Sequence, residues 1–190
     1  MGNREALLAA AKACLREKGY DRSSVRDIAT AAKVSMAAIG YHYGSREALL
    51  NQALFETLDE WGDAMGRALV PDPDGSAKRH FTQLWQSLID DFATHPDLWL
   101  ASMELFMQAQ RQPALRPALT AGLTQGRRGM AAILTSTPEN DVPAEAVRTL
   151  GSVQLALMSG IMIQHLSDPT TAPNADEILR GLRTLTDLTH

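Results

Sequence analysis

The segment from Ser24 to Leu50 constrains the fold of this chain more than any other part of the sequence. Ser24 is a favourable N-cap, and Asp27 follows three residues later, beside the exposed N–H groups of a first helical turn. Apolar residues then recur at helical spacing as far as Ala32. Lys33 and the residue after it form a tight turn. The pattern predicts a short helix that ends at this turn.

A second short helix follows at once. Ser35 is predicted to cap it, the helix runs from residue 36 to about residue 42, and Ile39 points inward. Gly44 ends this helix, and Ser45 caps a longer one that begins at the next residue. Two short helices joined by a tight turn form the layout of a helix-turn-helix, whose second helix can lie in the major groove of DNA.

These residues resemble the N-terminal DNA-binding domain of TetR-family transcriptional regulators. The matching positions are Ser24, Ile28-Ala29, Ala32, Val34-Ser35, Ile39, Tyr41-His42-Tyr43 and Ser45 to Leu50, preceded by a helix over about Arg4 to Lys18 and by Gly19-Tyr20. Two positions depart from the family pattern. Gly40 stands where many members have an aromatic residue, and Lys33 stands where glycine is common.

The whole chain is predicted to be all-α. Residues 1–50 would form a three-helix helix-turn-helix domain, and residues 51–190 a helical domain for effector binding and dimerisation. No alternating polar and apolar run indicates a sheet. Helices are expected over about 46–69, 76–95, 96–110, 113–134, 144–166 and 175–188, with loops at 70–75, 136–143 and 168–173.

Charge is distributed unevenly along the chain. Residues 1–50 hold eight Lys or Arg against five Asp or Glu, a net charge of +3, and residues 51–190 hold ten against seventeen, a net charge of −7. This distribution suits a protein that touches phosphates at one end. The opening stretch lacks the pattern of a signal peptide, and the apolar run from Val153 to Ile163 is short for a membrane span, so a soluble cytoplasmic protein is expected. Cys14, the single cysteine, is expected to pack as a small apolar residue.

The resemblance implies that the second short helix enters the groove. Its exposed surface carries no Arg, Asn or Gln, the side chains that make paired contacts to guanine or adenine. Arg26 is therefore the candidate for a guanine contact, small apolar groups would meet thymine methyls, and DNA shape would add specificity. Tyr41, His42 and Arg46 are expected to bind phosphate. The full set of candidate DNA-binding residues is Ser24, Arg26, Ser35, Met36, Ala37, Ala38, Gly40, Tyr41, His42, Ser45 and Arg46.

An effector pocket is a second implication of the family resemblance. Soft apolar side chains with a few polar groups suit an adaptable small-molecule site, although residues of these types more often form ordinary core. The candidate ligand-binding residues are Trp61, Met65, Trp85, Phe92, Trp99, Met103, Phe106, Met107, Met130, Gln154, Met158, Met162 and His165.

Dimerisation is expected because one short recognition helix buries too little surface for tight, specific binding. Small residues spaced four apart in the helix over 144–166 would let another helix approach closely. Packing of that strip on the chain's own core is the alternative. The candidate dimer contacts are Val147, Leu150, Ser152, Ala156, Leu157, Gly160, Ile161, Ile178, Leu182 and Leu185.

Taken together, these features predict a ligand-responsive repressor that binds a near-palindromic DNA operator as a homodimer and is released by a small apolar or amphipathic effector. No metal-ligand spacing, paired-acid pattern or glycine-rich phosphate loop indicates an enzyme, a metal site or a cofactor. The alternative is a helical protein that binds a small molecule or a partner without sequence-specific DNA binding. The plain surface of the second short helix favours that alternative.

Overall fold

The computed structural model describes residues 2–68 and 77–188, and within these ranges every regular element is helical. The helices are α1 (Asn3–Arg22), α2 (Val25–Ala32), α3 (Ala37–Tyr43), α4 (Arg46–Ala68), α5 (Ala77–Thr94), α6 (Pro96–Arg111), α7 (Arg116–Thr135), α8 (Ala144–Ser167) and α9 (Ala175–Asp187). Short 3₁₀ turns at Pro113–Leu115 and Glu139–Asp141 precede α7 and α8. The all-α prediction is confirmed. The predicted loop at 70–75 lies outside the described residues.

The chain divides into two compact units. Unit 1 contains residues 1–61 and 97–120, and unit 2 contains residues 62–96 and 121–190. The helix-turn-helix segment and most of α6 therefore belong to unit 1. The domain boundary predicted at residue 50 stays a prediction.

The core of unit 1 is built from α1, α2, α3, α6 and the first turns of α4. Leu7, Ile28, Leu49, Leu50 and Leu54 are fully buried there. Cys14 lies in the same cluster, as expected, and burial raises the pKa of its thiol. This core holds the two short helices against α1, so their outer faces are presented to solvent as a fixed surface.

In unit 2, α7 and α8 approach each other at Gly151. An added Cβ at this glycine would lie 2.2 Å from the backbone oxygen of Arg127. A side chain at this position would therefore clash with the α7 backbone. The contact coincides with a π-helical turn at Val147–Gly151, which interrupts the regular α-helical pattern of α8. The sequence pattern predicted a continuous helix here and missed this turn.

By length and composition, α8 could also cross a membrane. It has 24 residues, its most apolar stretch has a mean hydropathy of 1.4, and a third of that stretch is buried. The sequence prediction considered only the shorter run from residue 153 to residue 163. Core helices of water-soluble proteins meet the same criterion, so this feature is weak evidence for a membrane span.

Candidate functional site

Local contacts fix the start of α2. Ser24 is its N-cap: the serine hydroxyl accepts a hydrogen bond from the Asp27 backbone N–H at 3.1 Å, and the Asp27 carboxylate accepts one from the Ser24 backbone N–H at 3.0 Å. Lys18 donates to the same carboxylate at 2.6 Å. The Lys18 ammonium and Ser24 hold the pKa of Asp27 well below its usual range. The predicted capping pair is confirmed.

The turn between α2 and α3 depends on Lys33, which has a φ of +56°. Its N–H caps the end of α2, and α3 begins four residues later. Ser35 was predicted to cap α3 with its side chain, and this prediction is wrong. The N-cap residue is Met36, which makes no side-chain cap hydrogen bond. Ser35 contributes to the start of α3 through its backbone oxygen, which accepts a hydrogen bond from the Ala38 N–H at 3.0 Å.

The outer surface of α3 is small and apolar apart from one ring. Tyr41 is 86 % exposed and packs edge-on against His42, with ring centroids 4.9 Å apart. Met36 is 53 % exposed, and Ala37 and Gly40 are exposed beside it. Ala38 is half-buried and packs partly against the core of unit 1, and its predicted place on the DNA-binding surface stays a prediction.

A wider exposed surface surrounds α3. Ser24, Arg26, Ser35 and Ser45 are all exposed, and Ser45 also caps α4 by accepting from the Ala48 N–H at 3.0 Å. Tyr43 is different from its neighbour Tyr41. It packs against the core, and its hydroxyl donates to the Arg4 carbonyl at 2.7 Å. Tyr43 is therefore a packing residue.

Arg46 does not have the free guanidinium that a phosphate contact needs. Its Nε donates to the Ser23 carbonyl at 2.6 Å, and its Nη2 donates to the carbonyls of Tyr20 and Asp21. The guanidinium also lies over the Tyr20 ring, 5.6 Å from the ring centroid. The predicted phosphate contact is corrected: these hydrogen bonds join Arg46, at the start of α4, to the α1–α2 junction, and its Nη1 donates to Glu47 Oε1 at 3.1 Å.

Polar contacts tie α1, α4 and α6 together inside unit 1. The Tyr20 hydroxyl donates to Asn51 Oδ1 at 2.6 Å and lies 3.3 Å from Gln108 Oε1. Glu104 lies in the same region, and its Oε2 is buried without a hydrogen-bond partner among the described residues. Burial raises the pKa of Glu104, and the nearby Asp21 carboxylate adds to the effect. Sequence reasoning missed this group because its neighbours lie far apart along the chain.

The predicted ligand-binding residues are divided between the two units. Trp61, Trp99, Met103, Phe106 and Met107 belong to unit 1, where the rings of Trp61 and Trp99 meet edge-on at 4.8 Å. Phe106 and Met107 are about half exposed, which removes them from an enclosed pocket. Met65, Trp85, Phe92, Met130, Gln154, Met158, Met162 and His165 belong to unit 2.

Unit 2 contains an apolar interior with buried polar atoms. Trp85 is fully buried, and its indole N–H has no acceptor among the described residues. Gln154 is buried too, and the rings of Phe92 and His165 lie 6.1 Å apart. The His165 ring is held at 3.1 Å from the Pro173 carbonyl. Buried polar groups normally have partners, so the Trp85 indole is an exception that calls for an explanation.

The predicted dimer contacts are partly corrected. Val147, Ile161 and Ile178 are buried within unit 2, so they cannot also form a free surface. The exposed stripe of α8 consists of Val153, Ala156, Gly160 and Ile163. Leu185 on α9 and Leu188, the residue directly after α9, are exposed. Ala156 and Gly160 of the predicted strip are exposed, whereas the flanking Val147 and Ile161 are buried. Both faces of α8 are apolar, and periodicity alone could not separate them.

Models of two protein families match this chain. The model described as "Bacterial regulatory proteins, tetR family" matches residues 7–53, and the model described as "Tetracyclin repressor-like, C-terminal domain" matches residues 76–188. The chain belongs to the TetR family of bacterial regulators. The helix-turn-helix is thus the DNA-binding part of a TetR-family transcriptional regulator.

The individual relatives of this chain have low sequence identity to it. The chain is similar to HdnoR of Paenarthrobacter nicotinovorans, a nicotine-responsive transcriptional repressor, with 23 % identity over 91 % of this chain and 88 % of the relative. It is 32 % identical to the transcriptional regulator CymR of Pseudomonas putida over 64 % of this chain and 58 % of that protein. Among solved structures, the multidrug-binding protein EbrR complexed with proflavin has a TM-score of 0.66 and 21 % identity, over 97 % of this chain and 99 % of the other.

Proposed function

We propose that this TetR-family protein is a cytoplasmic repressor that binds a near-palindromic DNA operator as a homodimer and releases it when a small apolar or amphipathic molecule binds. The observation that carries the proposal is the exposed surface of α3. A tyrosine that is 86 % exposed and a methionine that is 53 % exposed project from a short helix whose other side is fixed in a core. Exposed large apolar groups of this kind mark a surface that meets a partner.

Arg26 is the proposed reader of guanine. It is exposed on α2, and α3 itself presents no guanidinium or amide to a base edge. Tyr41, His42 and Ser45 are the proposed phosphate contacts, now without Arg46. Ser24 stays among the proposed DNA-binding residues, although its hydroxyl also caps α2. Methyl contacts and DNA shape supply the remaining specificity.

The test of DNA binding begins with selection of genomic fragments on the purified protein, followed by sequencing. Affinity for the selected operator is then measured for Arg26→Ala and for Arg128→Ala, an exposed arginine on α7. We expect Arg26→Ala to lower affinity about tenfold and to relax selectivity at one G·C position. Arg128→Ala should bind as the wild type does. Unchanged discrimination at every G·C position in Arg26→Ala would refute the Arg26 role, and failure to select any fragment would favour the partner-binding alternative.

The proposed dimer surface combines the exposed stripe of α8 with Leu185 of α9 and Leu188 directly after it. Gly160 contributes because an added Cβ there would meet nothing within 4 Å of its own chain, so the site is open to a second copy. Ile163→Glu places a charge on this stripe, whereas Gln125→Glu places the same charge on an exposed site of α7. Light scattering at micromolar concentration should give a dimer for the wild type and Gln125→Glu, and a monomer for Ile163→Glu. A monomeric wild type would overturn the dimer.

Effector binding is proposed in the interior of unit 2, around Trp85. A buried indole N–H without an acceptor is costly, and an apolar ligand carrying an acceptor atom would satisfy it. The names of the relatives support this ligand class: HdnoR is nicotine-responsive and EbrR is complexed with proflavin, and both molecules carry ring nitrogens. Gln154 and His165 are further polar groups of unit 2, as is Arg127, whose Nε is buried without a hydrogen-bond partner among the described residues.

Release from DNA requires that the effector bind the two states of the protein with different affinity. The helix α4 begins directly after the helix-turn-helix and contributes its last turns to unit 2, so it is the proposed carrier of the movement. Operator affinity is measured with nicotine and with proflavin at saturating concentration, in the wild type and in Trp85→Phe. We expect at least a tenfold loss of operator affinity in the wild type, and a weaker response in Trp85→Phe. Unaltered operator affinity after demonstrated ligand binding would contradict the coupling.

A further inference from the structure

Gly40 lies in the middle of α3, where glycine is unfavourable. A helix interior disfavours glycine because the backbone loses more conformational freedom there than with alanine. Two other glycines of unit 1 have a reason within the chain: Gly19 and Gly44 have φ of +76° and +81°. Gly40 has ordinary helical backbone, and its carbonyl accepts from the Gly44 N–H at 3.0 Å.

Packing gives no reason for this glycine either. An added Cβ at Gly40 would meet nothing within 4 Å. The reason therefore lies outside the chain, in whatever covers this surface. The neighbours at helical spacing are Met36 and Ala37, both exposed, and the 86 % exposed Tyr41 follows directly. The neighbours of Gly40 at helical spacing are therefore apolar, and the nearest hydrogen-bonding side chains along the helix belong to Tyr41 and His42.

We propose that Gly40 is a notch in the recognition surface that receives the 5-methyl group of a thymine base in the operator. The inference rests on the proposed DNA binding by α3. Thymine methyls are the apolar feature of the major groove, and apolar side chains contact them. The side chain that glycine lacks, relative to alanine, is itself a methyl group. The missing Cβ leaves a space that matches the thymine methyl in size, and Met36 and Ala37 provide its apolar rim.

This assignment predicts a reciprocal exchange of methyl groups. Deoxyuridine differs from thymidine only in lacking the 5-methyl group. In the wild type, replacing the contacted thymine by deoxyuridine should weaken binding about fourfold, the loss expected for one buried methyl group. Gly40→Ala should bind the thymine operator about tenfold more weakly, because two methyl groups then compete for one space. On the deoxyuridine operator, Gly40→Ala should return to within about twofold of the wild type on thymine.

The experiment measures affinity of both proteins for the selected operator with each thymine of one half-site replaced in turn. Gly66→Ala is the matched control, since Gly66 is also an exposed helical glycine with nothing within 4 Å of an added Cβ. Both alanine variants should melt about 2 °C above the wild type, because alanine favours the helix. Only Gly40→Ala should change DNA binding.

Two results with the Gly40→Ala protein would overturn the notch. One is a Gly40→Ala protein that binds the operator as tightly as the wild type. The other is an equal loss of affinity on thymine and deoxyuridine at every position, which would indicate approach of the sugar-phosphate backbone instead. If the wild type selects no genomic fragment, the proposed DNA binding fails and the notch fails with it. The wild type could instead select an operator and bind it equally tightly with thymine and with deoxyuridine at every position. That result would refute the notch and leave the proposed DNA binding standing.

Discussion

The helix-turn-helix and the α7–α8 contact hold their helices in place in different ways. In the helix-turn-helix, Ser24 and Asp27 are three residues apart, and Lys33 caps α2 by bonding to carbonyls three and four residues earlier. In unit 2, the backbone of Arg127, which is distant in sequence, leaves no space for a side chain at Gly151. The first region depends on local hydrogen bonds and the second on close packing. Loss of one local bond should cost little, whereas one added carbon in the close contact should cost much.

The substitution Gly151→Ala tests the packing side of this comparison, with the largest expected effect. Its Cβ would lie 2.2 Å from the Arg127 oxygen, so α7 and α8 must separate. We expect a loss of about 3 kcal/mol in the free energy of unfolding, or about 9 °C in Tm. Gly66→Ala is the control, since Gly66 is an exposed helical glycine of unit 2 whose added Cβ meets nothing within 4 Å. Equal melting temperatures for the two variants would show that the α7–α8 contact yields easily.

Arg46→Ala tests whether the hydrogen bonds between Arg46 and the α1–α2 junction stabilise the protein as much as the close packing at Gly151 does. It removes hydrogen bonds to three backbone carbonyls and leaves those acceptors at the end of α1 without a charged donor. We expect a loss of about 2 kcal/mol, seen as a fall of about 6 °C in Tm. Arg26→Ala, on the exposed surface of α2, should leave Tm unchanged. If Arg46→Ala lowers DNA affinity without lowering Tm, the original phosphate role is restored.

The two serines Ser24 and Ser35 sharpen the local side of the comparison. Ser24 caps α2 with its side chain, whereas the α3 N-cap is the residue after Ser35 and has no side-chain cap bond. Ser24→Ala should therefore lower the free energy of unfolding by about 1 kcal/mol, or about 3 °C in Tm. Ser35→Ala should have no measurable effect on Tm. A comparable fall in both variants would mean that Ser35 also stabilises its helix.

Glu104→Gln has the smallest expected effect, and it concerns a long-range contact within unit 1. Burial, and then the Asp21 charge, raise the pKa of Glu104, so its ionised form destabilises the folded state. The neutral amide should raise Tm by about 2 °C at pH 7. This gain should shrink as the pH falls through the folded-state pKa and vanish below the ordinary carboxyl range, where the wild type is protonated in both states. Melting curves from pH 4 to pH 8 check this; a gain independent of pH would contradict the charge as the cause.

The sequence predicted what neighbouring residues determine. Caps at Ser24 and Ser45, the turn at Lys33 and the end of α3 at Gly44 all follow from short-range chemistry, and the structure has them. Tyr41 is exposed, as its expected phosphate contact requires.

The failures have a common physical cause. The carbonyl contacts of Arg46, the close approach at Gly151 and the face that α8 exposes all depend on residues distant in sequence. The apolar residues of α8 predict that the helix is buried. They do not indicate which of its two apolar sides packs against its own core. Ser35 failed differently, because a serine before a helix was mistaken for its cap.

Cys14 has a practical consequence for measuring motion in this molecule. Its thiol is buried in the core of unit 1, and burial raises its pKa, so little reactive thiolate forms at neutral pH. A cysteine introduced at the exposed Thr30 of α2 would then react with a maleimide dye far faster than the native one. The native sequence can thus serve directly as the background for fluorescence distance measurements, with no need to remove its own cysteine.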